Sequence, residues 1–377
     1  MDFELTDVQT RLRDRAAEFV DLELRPAAAY LDLTKDREKL KAILKSLAEQ
    51  GFMGIAADPQ YGGTGADAVS FSLVMTELGR GCASTAVTTS VTNMVAEVIE
   101  AVGSEQQKKK YIPPLCSGEF SAGGFALTEA VAGSDPASMR MSAVADGDSY
   151  VLNGQKIFIS SAEFAGVYVV WAVTDKEAKK GKGISAFLVE PSFPGFRVGH
   201  EEKKLGQCAS PTNEVIFDDC RVPKENLLGT LNDGFRIAAS ELAGGRIGIG
   251  SMALGIGLSA VDYAAEYVRK TRVENRRAVE GLIAEDSARL TGARWLLLRA
   301  AFIKDRKQYF AREASMAKLY ATEAANRACH DAVQILGDRG LTQEFPVERF
   351  YRDARVTTIY EGTSEIQRLI VARELLR

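Results

Sequence analysis

The sequence predicts an α+β chain in three parts: helical, then β, then helical again. Three observations carry this. Apolar residues recur at helical spacing as far as about Ser117. Short runs rich in β-branched and aromatic residues, separated by turns, fill the stretch from Phe120 to Phe217. Helical spacing then returns after Gly229 and persists to Arg377. A chain of 377 residues exceeds what one core usually supports. The changes of pattern divide it into a helical domain at about 1–118, a β domain at about 119–228 and a helical bundle at about 229–377.

In the first part, Thr6 and Gln9 form a capping box ahead of a helix expected to turn Val8, Leu12, Phe19 and Val20 inward. Pro26 is expected to bend or interrupt the path. Leu40, Ile43, Leu44 and Leu47 mark a further amphipathic helix, closed by Gly51. A loop rich in turn residues follows, from Asp58 to Gly65, and then two apolar helices at about 67–80 and 86–102. In the middle part, the runs at 149–152 and 156–159 flank Asn153-Gly154, a hairpin signal. The runs at 167–171 and 184–189 flank a basic, solvated loop at 179–183, and Pro223 ends sheet pairing after the run 214–217. In the last part, long helices at about 233–269, 280–303, 310–336 and 347–356, joined by short connections, imply a bundle with Trp295 in its core.

Composition bounds the function. Hydrophobic content of 46% and charged content of 26% belong to an ordinary soluble globular protein. A net charge of −4 without a basic cluster argues against a nucleic-acid surface, and the Lys108-Lys109-Lys110 run reads as a solvated helix face. Five cysteines are scattered without pairing or metal-ligand spacing, which suits a reducing compartment, and the two histidines are too far apart to suggest a metal cluster. Met1-Asp2-Phe3-Glu4-Leu5 lacks the features of a signal peptide. No apolar stretch is expected to approach the ~20 residues of a membrane span. A soluble cytoplasmic protein is expected.

The chemistry concentrates near the end, in Tyr360-Glu361-Gly362-Thr363-Ser364-Glu365-Ile366-Gln367-Arg368. Thr363 or Ser364 can cap the helix that follows, whose apolar face is expected to hold Ile366, Leu369, Ile370 and Leu376. Gly362 lets the backbone pass close to a ligand. Glu361 is therefore a carboxylate held at a turn, the arrangement a general base needs to reach a carbon acid. Alone, such a glutamate reads more often as a solvated or structural group.

The order of domains and five motifs in register resemble the acyl-CoA dehydrogenase family over essentially the whole chain. The motifs are Pro59-Gln60-Tyr61-Gly62-Gly63; Ala126-Leu127-Thr128-Glu129-Ala130-Val131-Ala132-Gly133-Ser134-Asp135; Asn153-Gly154-Gln155-Lys156-Ile157-Phe158-Ile159-Ser160; Gly244-Gly245-Arg246-Ile247-Gly248; and Tyr351-Arg352-Asp353-Ala354-Arg355 ahead of the carboxylate turn. The resemblance implies a middle antiparallel β-barrel and a C-terminal four-helix bundle, with FAD between them and an acyl thioester against the flavin. It implies that Phe125, Leu127 and Thr128 face the flavin and that Phe158, Ile159 and Ser160 close its other side. Gly133 and Ser134 would meet the ligand at the pyrophosphate or pantetheine level. Leu242, Arg246, Tyr360 and Gly362 would line the substrate side, and Arg272, Gln334, Gly337, Thr363 and Glu365 would complete the FAD contacts. Glu361 would remove the α-proton. Its backbone N–H and a ribityl hydroxyl would hold the thioester carbonyl while the β-hydride passes to flavin N5. A homotetramer that passes electrons to an electron-transfer flavoprotein follows from the same resemblance. Some members place the base just before the arginine matched by Arg246, but here that position is Gly245.

Three departures fall on the FAD side. The family's R-x-x-F-G segment is replaced by a shorter arginine-rich stretch at 269–281. Asp338 follows Gly337 where a second glycine is usual, and Phe158 replaces a tryptophan. These departures predict weakened FAD binding. They keep open a relative acting on carrier-protein-bound acyl groups or using base chemistry alone, and a non-enzymatic oligomeric scaffold.

Overall fold

The computed structural model describes residues 4–376, so Met1–Phe3 and Arg377 lie outside the described residues. The helical first part comprises α1 (Asp7–Phe19), α2 (Arg25–Thr34), α3 (Arg37–Glu49), α4 (Ala68–Gly81), α5 (Ala83–Val102) and α6 (Glu105–Ser117). The capping box forms as read: the Thr6 hydroxyl accepts from the Gln9 N–H while the Gln9 side chain accepts from the Thr6 N–H. Val8, expected inside, is 50% exposed, because the buried face of α1 runs through Gln9, Leu12, Ala16 and Phe19 instead. Pro26 does not break the path. A π-helical turn at Val20–Leu24 absorbs the irregularity, and Pro26 sits in the first turn of α2, where its missing N–H costs nothing.

The hydroxyl-rich α5 is nonetheless buried. Thr88, Thr89 and Thr92 each donate to the carbonyl four residues earlier, which satisfies the hydroxyls internally. Thr92 Oγ1 also accepts from the Gly123 N–H and so fixes α5 to the first strand of the middle domain.

That domain holds β1 (Ala122–Ala126), β2 (Ser142–Asp146), β3 (Ser149–Ser160), β4 (Ala165–Val173), β5 (Ile184–Val189), β6 (Phe196–Glu201), β7 (Thr212–Pro223) and β8 (Leu227–Leu228). The order is β6-β7-β3-β2-β4-β5-β8, mostly antiparallel, with β1 beside β4 in parallel. Residues of β3 and β7 (Leu152, Val215, Phe217) meet residues of β4 and β5 (Tyr168, Val170, Phe187) in one core. The sheet therefore folds over itself as a barrel open between β6 and β8. The hairpin expected at Asn153-Gly154 is a correction: β3 runs straight through, and the turn lies earlier, where Asp146 pairs with Ser149. The Asn-Gly pair instead makes a bulge against β7. Gly154 has φ +143°, and a Cβ there would come within 2.8 Å of Met141.

The last part comprises α7 (Gly234–Lys270), α8 (Arg276–Asp305), α9 (Ala311–Leu336), α10 (Val347–Arg355) and α11 (Ser364–Leu375). Contrary to expectation, α7 is long and apolar enough to cross a membrane, with a window of mean hydropathy 1.4, but 83% of that window is buried inside the protein. It is the central core helix, wrapped by α4, α5 and α9. Gly255 lets α4 cross it backbone to backbone, since a Cβ would lie 2.0 Å from the Thr76 carbonyl oxygen. Trp295, read as core, is 44% exposed, and Leu297 fills that interior instead. Likewise Leu369 on the last helix and Leu376 just past its end are exposed, while Ser364 and Gln367 face inward.

Candidate active site

The carboxylate turn is built by backbone strain and one buried amine. Glu361 has φ +50°, unusual for a residue with a Cβ, and Gly362 follows at +94°. Thr363, not Ser364, caps α11 by accepting from the Ile366 N–H. The Gly362 carbonyl accepts from Lys318 Nζ at 2.7 Å and from Gln367 Nε2 at 2.9 Å, and Gln367 also reaches the Glu361 carbonyl at 3.3 Å. These bonds hold the turn without touching the carboxylate. Glu361 Oε2 is buried and has no hydrogen-bond partner. Burial pushes the Glu361 carboxyl up to about 7, with Lys318 and Arg246 holding it back. Burial likewise pulls the Lys318 ammonium down to about 8, against the pull of Glu361. A buried acid and two buried cations thus share one site.

Gly245 leaves position 245 of α7 without a side chain where Glu361 approaches. A Cβ there would come within 2.2 Å of Glu361 Oε2, so the Glu361 carboxylate occupies the space that a side chain at 245 would need. The adjacent Arg246 is only 7% exposed. Its Nη1 reaches Ser315 Oγ at 3.3 Å, and its Nε has no partner.

The turn is also fixed from the middle domain. The Gln207 N–H donates to the Asp353 carboxylate, and Gln207 Nε2 donates to the Asp353 carbonyl and the Tyr360 hydroxyl, both at 3.1 Å. Burial lifts the Asp353 carboxyl to about 7. Arg352 reaches Asp32 at 2.6 Å, Glu348 at 2.6 Å and the Leu205 carbonyl at 3.2 Å, joining all three parts of the chain one residue before Asp353.

On the sheet side, a buried ion pair sets the frame. Lys156 Nζ lies 2.8 Å from Glu129 and 3.0 Å from the Leu127 carbonyl, and Glu129 also accepts from the Arg140 and Met141 N–H groups. The Ile157 N–H donates to the Thr128 carbonyl at 2.9 Å. These bonds hold the segments 127–129 and 156–160 side by side. Between Lys156 and Ile159 the β3 register slips, and Phe158 adopts φ +58° and is 58% exposed.

The site residues expected from sequence divide clearly. Glu361, Arg246, Gly362 and Tyr360 gather at the turn, while Leu242 packs at the edge of a core shared with the β domain. Thr128 and Ser160 are half-buried. Leu127 and Ile159 turn their side chains into cores, so they can present only backbone to a ligand, and Phe125 packs at 4.4 Å from Trp171. Gly133, Ser134, Arg272, Gln334 and Gly337 are exposed, as is Asp338. Thr363 and Glu365 line a separate cavity of about 410 Å³ with Arg355, His330 and Asn326. Sequence patterns did not reveal Lys318, Gln207 or the Glu129–Lys156 pair as site residues. A lone lysine directly after Ala314-Ser315-Met316-Ala317 is the one local sign of the first.

A strained turn presents a carboxylate oxygen that is buried and unpartnered where a sheet domain meets a helical bundle, the kind of perturbed acid found at functional sites. Comparison with known proteins names the class. The acyl-CoA dehydrogenase N-terminal, middle and C-terminal domain models match residues 6–119, 124–220 and 232–376. The mitochondrial short-chain specific acyl-CoA dehydrogenase of Rattus norvegicus is 44% identical over 99% of this chain and 91% of its own. The structure of butyryl-CoA dehydrogenase from Megasphaera elsdenii superposes with a TM-score of 0.95 at 38% identity, covering both chains completely. A chain from the structural work on the electron transferring flavoprotein of Acidaminococcus fermentans gives 0.97 at 40%, again over both whole chains. The chain belongs to the acyl-CoA dehydrogenase family, whose members are FAD-dependent oxidoreductases and whose solved relatives include FAD complexes.

Proposed function

We propose that this protein dehydrogenates the α,β bond of an acyl-CoA thioester, with Glu361 as the base that takes the α-proton. The observation that carries the reading is the buried, unpartnered Glu361 Oε2, lifted to about 7 by burial. At that value a carboxylate is half-ionised at neutral pH yet basic enough to accept a proton, which is where a general base works best. Lys318 and Arg246 keep the ionised form accessible, and the Lys318 bond to the Gly362 carbonyl holds the turn while the charge comes and goes.

The residues present fit FAD. Phe158 is swung out of the sheet by its left-handed backbone, and the half-buried Thr128 and Ser160 stand near it on segments that the Glu129–Lys156 pair holds together. The cavity of about 410 Å³ opens at the N-terminus of the twelve-residue α11, where free N–H groups favour an anion such as a pyrophosphate. When bound, FAD supplies the acceptor for the β-hydride, so that a trans-2-enoyl thioester results. The backbone N–H of Glu361 is the chain's own donor to the thioester carbonyl in this reading. An electron-transfer flavoprotein as acceptor and a homotetramer complete the proposal. The tetramer is supported by the exposed Trp295, Phe302, Tyr320 and Leu369 on α8, α9 and α11. Five free cysteines suit a cytoplasmic setting.

The test is a panel of acyl-CoAs offered to the FAD-loaded protein with an artificial electron acceptor, alongside the same acyl groups on a carrier protein. Bleaching of the flavin by CoA thioesters is expected. A protein that binds no FAD, or a flavin that no CoA thioester bleaches, overturns the reading. Bleaching by carrier-bound groups alone moves the substrate to the carrier.

A further inference from the structure

The pocket beyond the base does not end on hydrocarbon. A cavity of about 10 Å³, room for one water-sized group, is lined by Phe71, Ser90, Met94, Glu97, Gly244 and Gly245. It adjoins Glu361 at Gly245, where a Cβ would meet both Glu361 Oε2 and, at 2.7 Å, the Met94 sulfur. One residue back, a Cβ at Gly244 would lie 3.2 Å from Lys304 Nζ and 3.8 Å from Glu97 Oε2. Glu97 and Lys304 form an ion pair of 2.6 Å at this end of the cavity, each side chain retaining some accessibility.

Two further observations make this wall unusual. Ser90 lines the cavity, is 1% exposed, and its hydroxyl has no hydrogen-bond partner. A buried hydroxyl without a partner costs about 1–3 kcal/mol, so an occupant that pairs with it recovers that cost. Glu241, one turn before Gly245 on α7, adds another carboxyl facing Glu97, Lys304 and Glu361. Burial and the neighbouring Glu97 hold it well above the usual carboxylate range, with Lys304 opposing. The far end of the pocket therefore offers the Glu97 carboxylate, already paired with Lys304, and the unpartnered Ser90 hydroxyl, with the Glu241 carboxyl close by and held protonated near neutral pH. Glu97 and Ser90 are its acceptors.

We infer that the acyl group of the preferred substrate is short and carries a hydrogen-bond-donating substituent, a hydroxyl or an amine, which Glu97 and Ser90 receive. The inference rests on the proposed acyl-thioester reading, because it assigns this cavity to the acyl end. A plain hydrocarbon end would leave the Ser90 hydroxyl unpaired and would bury methyl groups against an ion pair. A donor in the same place completes both. Gly244 and Gly245 are then the gap through which the chain passes from the base to this polar end.

Enoyl products test this without turnover, since they cannot be dehydrogenated again at the same bond. The FAD-loaded wild type is titrated calorimetrically with trans-2-pentenoyl-CoA, 4-hydroxy-trans-2-butenoyl-CoA and 4-amino-trans-2-butenoyl-CoA, which differ only in a terminal methyl, hydroxyl or ammonium. At least one polar ligand is expected to bind about tenfold or more tightly than the methyl analogue, as for a hydrogen bond to a charged group. A tighter amine shows that the carboxyl groups read charge, and a tighter hydroxyl shows that the site reads a neutral donor. The preference should fall to within about threefold in the double variant Glu97→Leu/Lys304→Leu, which removes both charges together, and should shrink in Ser90→Ala. Equal or tighter binding of the pentenoyl thioester by the wild type overturns the inference on its own, even if the double variant fails to fold. If dehydrogenation proceeds in the panel above while this preference is absent, only the present inference fails. If none of the three thioesters binds, it fails together with the acyl-CoA reading.

Discussion

Replacing Glu361 with glutamine keeps the size of the side chain and removes its charge. The carboxyl is raised from 4.5 to about 7 by burial, and each pKa unit is worth about 1.4 kcal/mol. The ionised form therefore costs the folded state about 3 kcal/mol. The sign follows from the raised value: the folded protein holds its proton longer than the unfolded chain. The stabilisation this gives is complete below about 4.5 and is lost as the pH rises through about 7. Glu361→Gln has no such loss. Urea unfolding of the two FAD-loaded proteins should show the variant gaining on wild type by about 3 kcal/mol between pH 4.5 and pH 8. The same substitution should cut kcat/KM by at least ~10²-fold. The wild-type kcat/KM should rise about tenfold per pH unit to a plateau near pH 7, and the variant's residual rate should lack that limb. A folded, flavin-loaded variant with near-wild-type turnover would refute the assignment. A wild-type profile flat from pH 5 to pH 9, with no relative gain in stability for the variant, would refute the electrostatic argument.

Four further outcomes are expected. Gly245→Ala places a Cβ 2.2 Å from Glu361 Oε2, so the base must move and steady-state kinetics should show a fall of about 10²-fold in kcat with FAD content unchanged. Lys156→Met leaves Glu129 buried with only its two backbone donors; thermal and denaturant unfolding should report a loss of about 3 kcal/mol or more together with reduced flavin content. Asp338→Gly removes an exposed charge, so any gain in FAD affinity, read by fluorescence titration, should be about fivefold, as for a pair at high dielectric, and should vanish at high salt. Light scattering of the purified protein should give a closed assembly of about four chains, and a stable monomer at micromolar concentration would contradict it.

Periodicity made most of the fold readable, because helices and strands bury one face each and that pattern is local. The long helices lie within a few residues of their expected positions, and Thr363 caps where a short hydroxyl was expected. The misreadings share one cause, that tertiary context decides. Asn153-Gly154 carries the chemistry of a hairpin, yet pairing with β7 holds the strand straight and turns the glycine into a bulge. Trp295 looks like core by composition, but the interior of α8 is filled by Leu290, Ala293 and Leu297. In the site, Glu361 was readable because its turn is a contiguous motif. Lys318 stands 44 positions from the carbonyl it holds, and Gln207 146 positions from Asp353. Pairs at such separations leave no mark on any short stretch.

The overlap between Gly245 and the Glu361 carboxylate bears on how such a site can change over time. On the proposed reading this protein carries its base on the turn, and an arrangement with the base at 245 on the central helix would differ from it in the ownership of one small volume. Two side chains cannot hold it together, so an acidic residue cannot simply be added at 245 while Glu361 remains. Nor can Glu361 be lost first without leaving the pocket without a base. Each single step passes through a form that is either overcrowded or inert, and only a paired replacement connects the two arrangements. The location of the base is thus a trait that a lineage keeps once it has it.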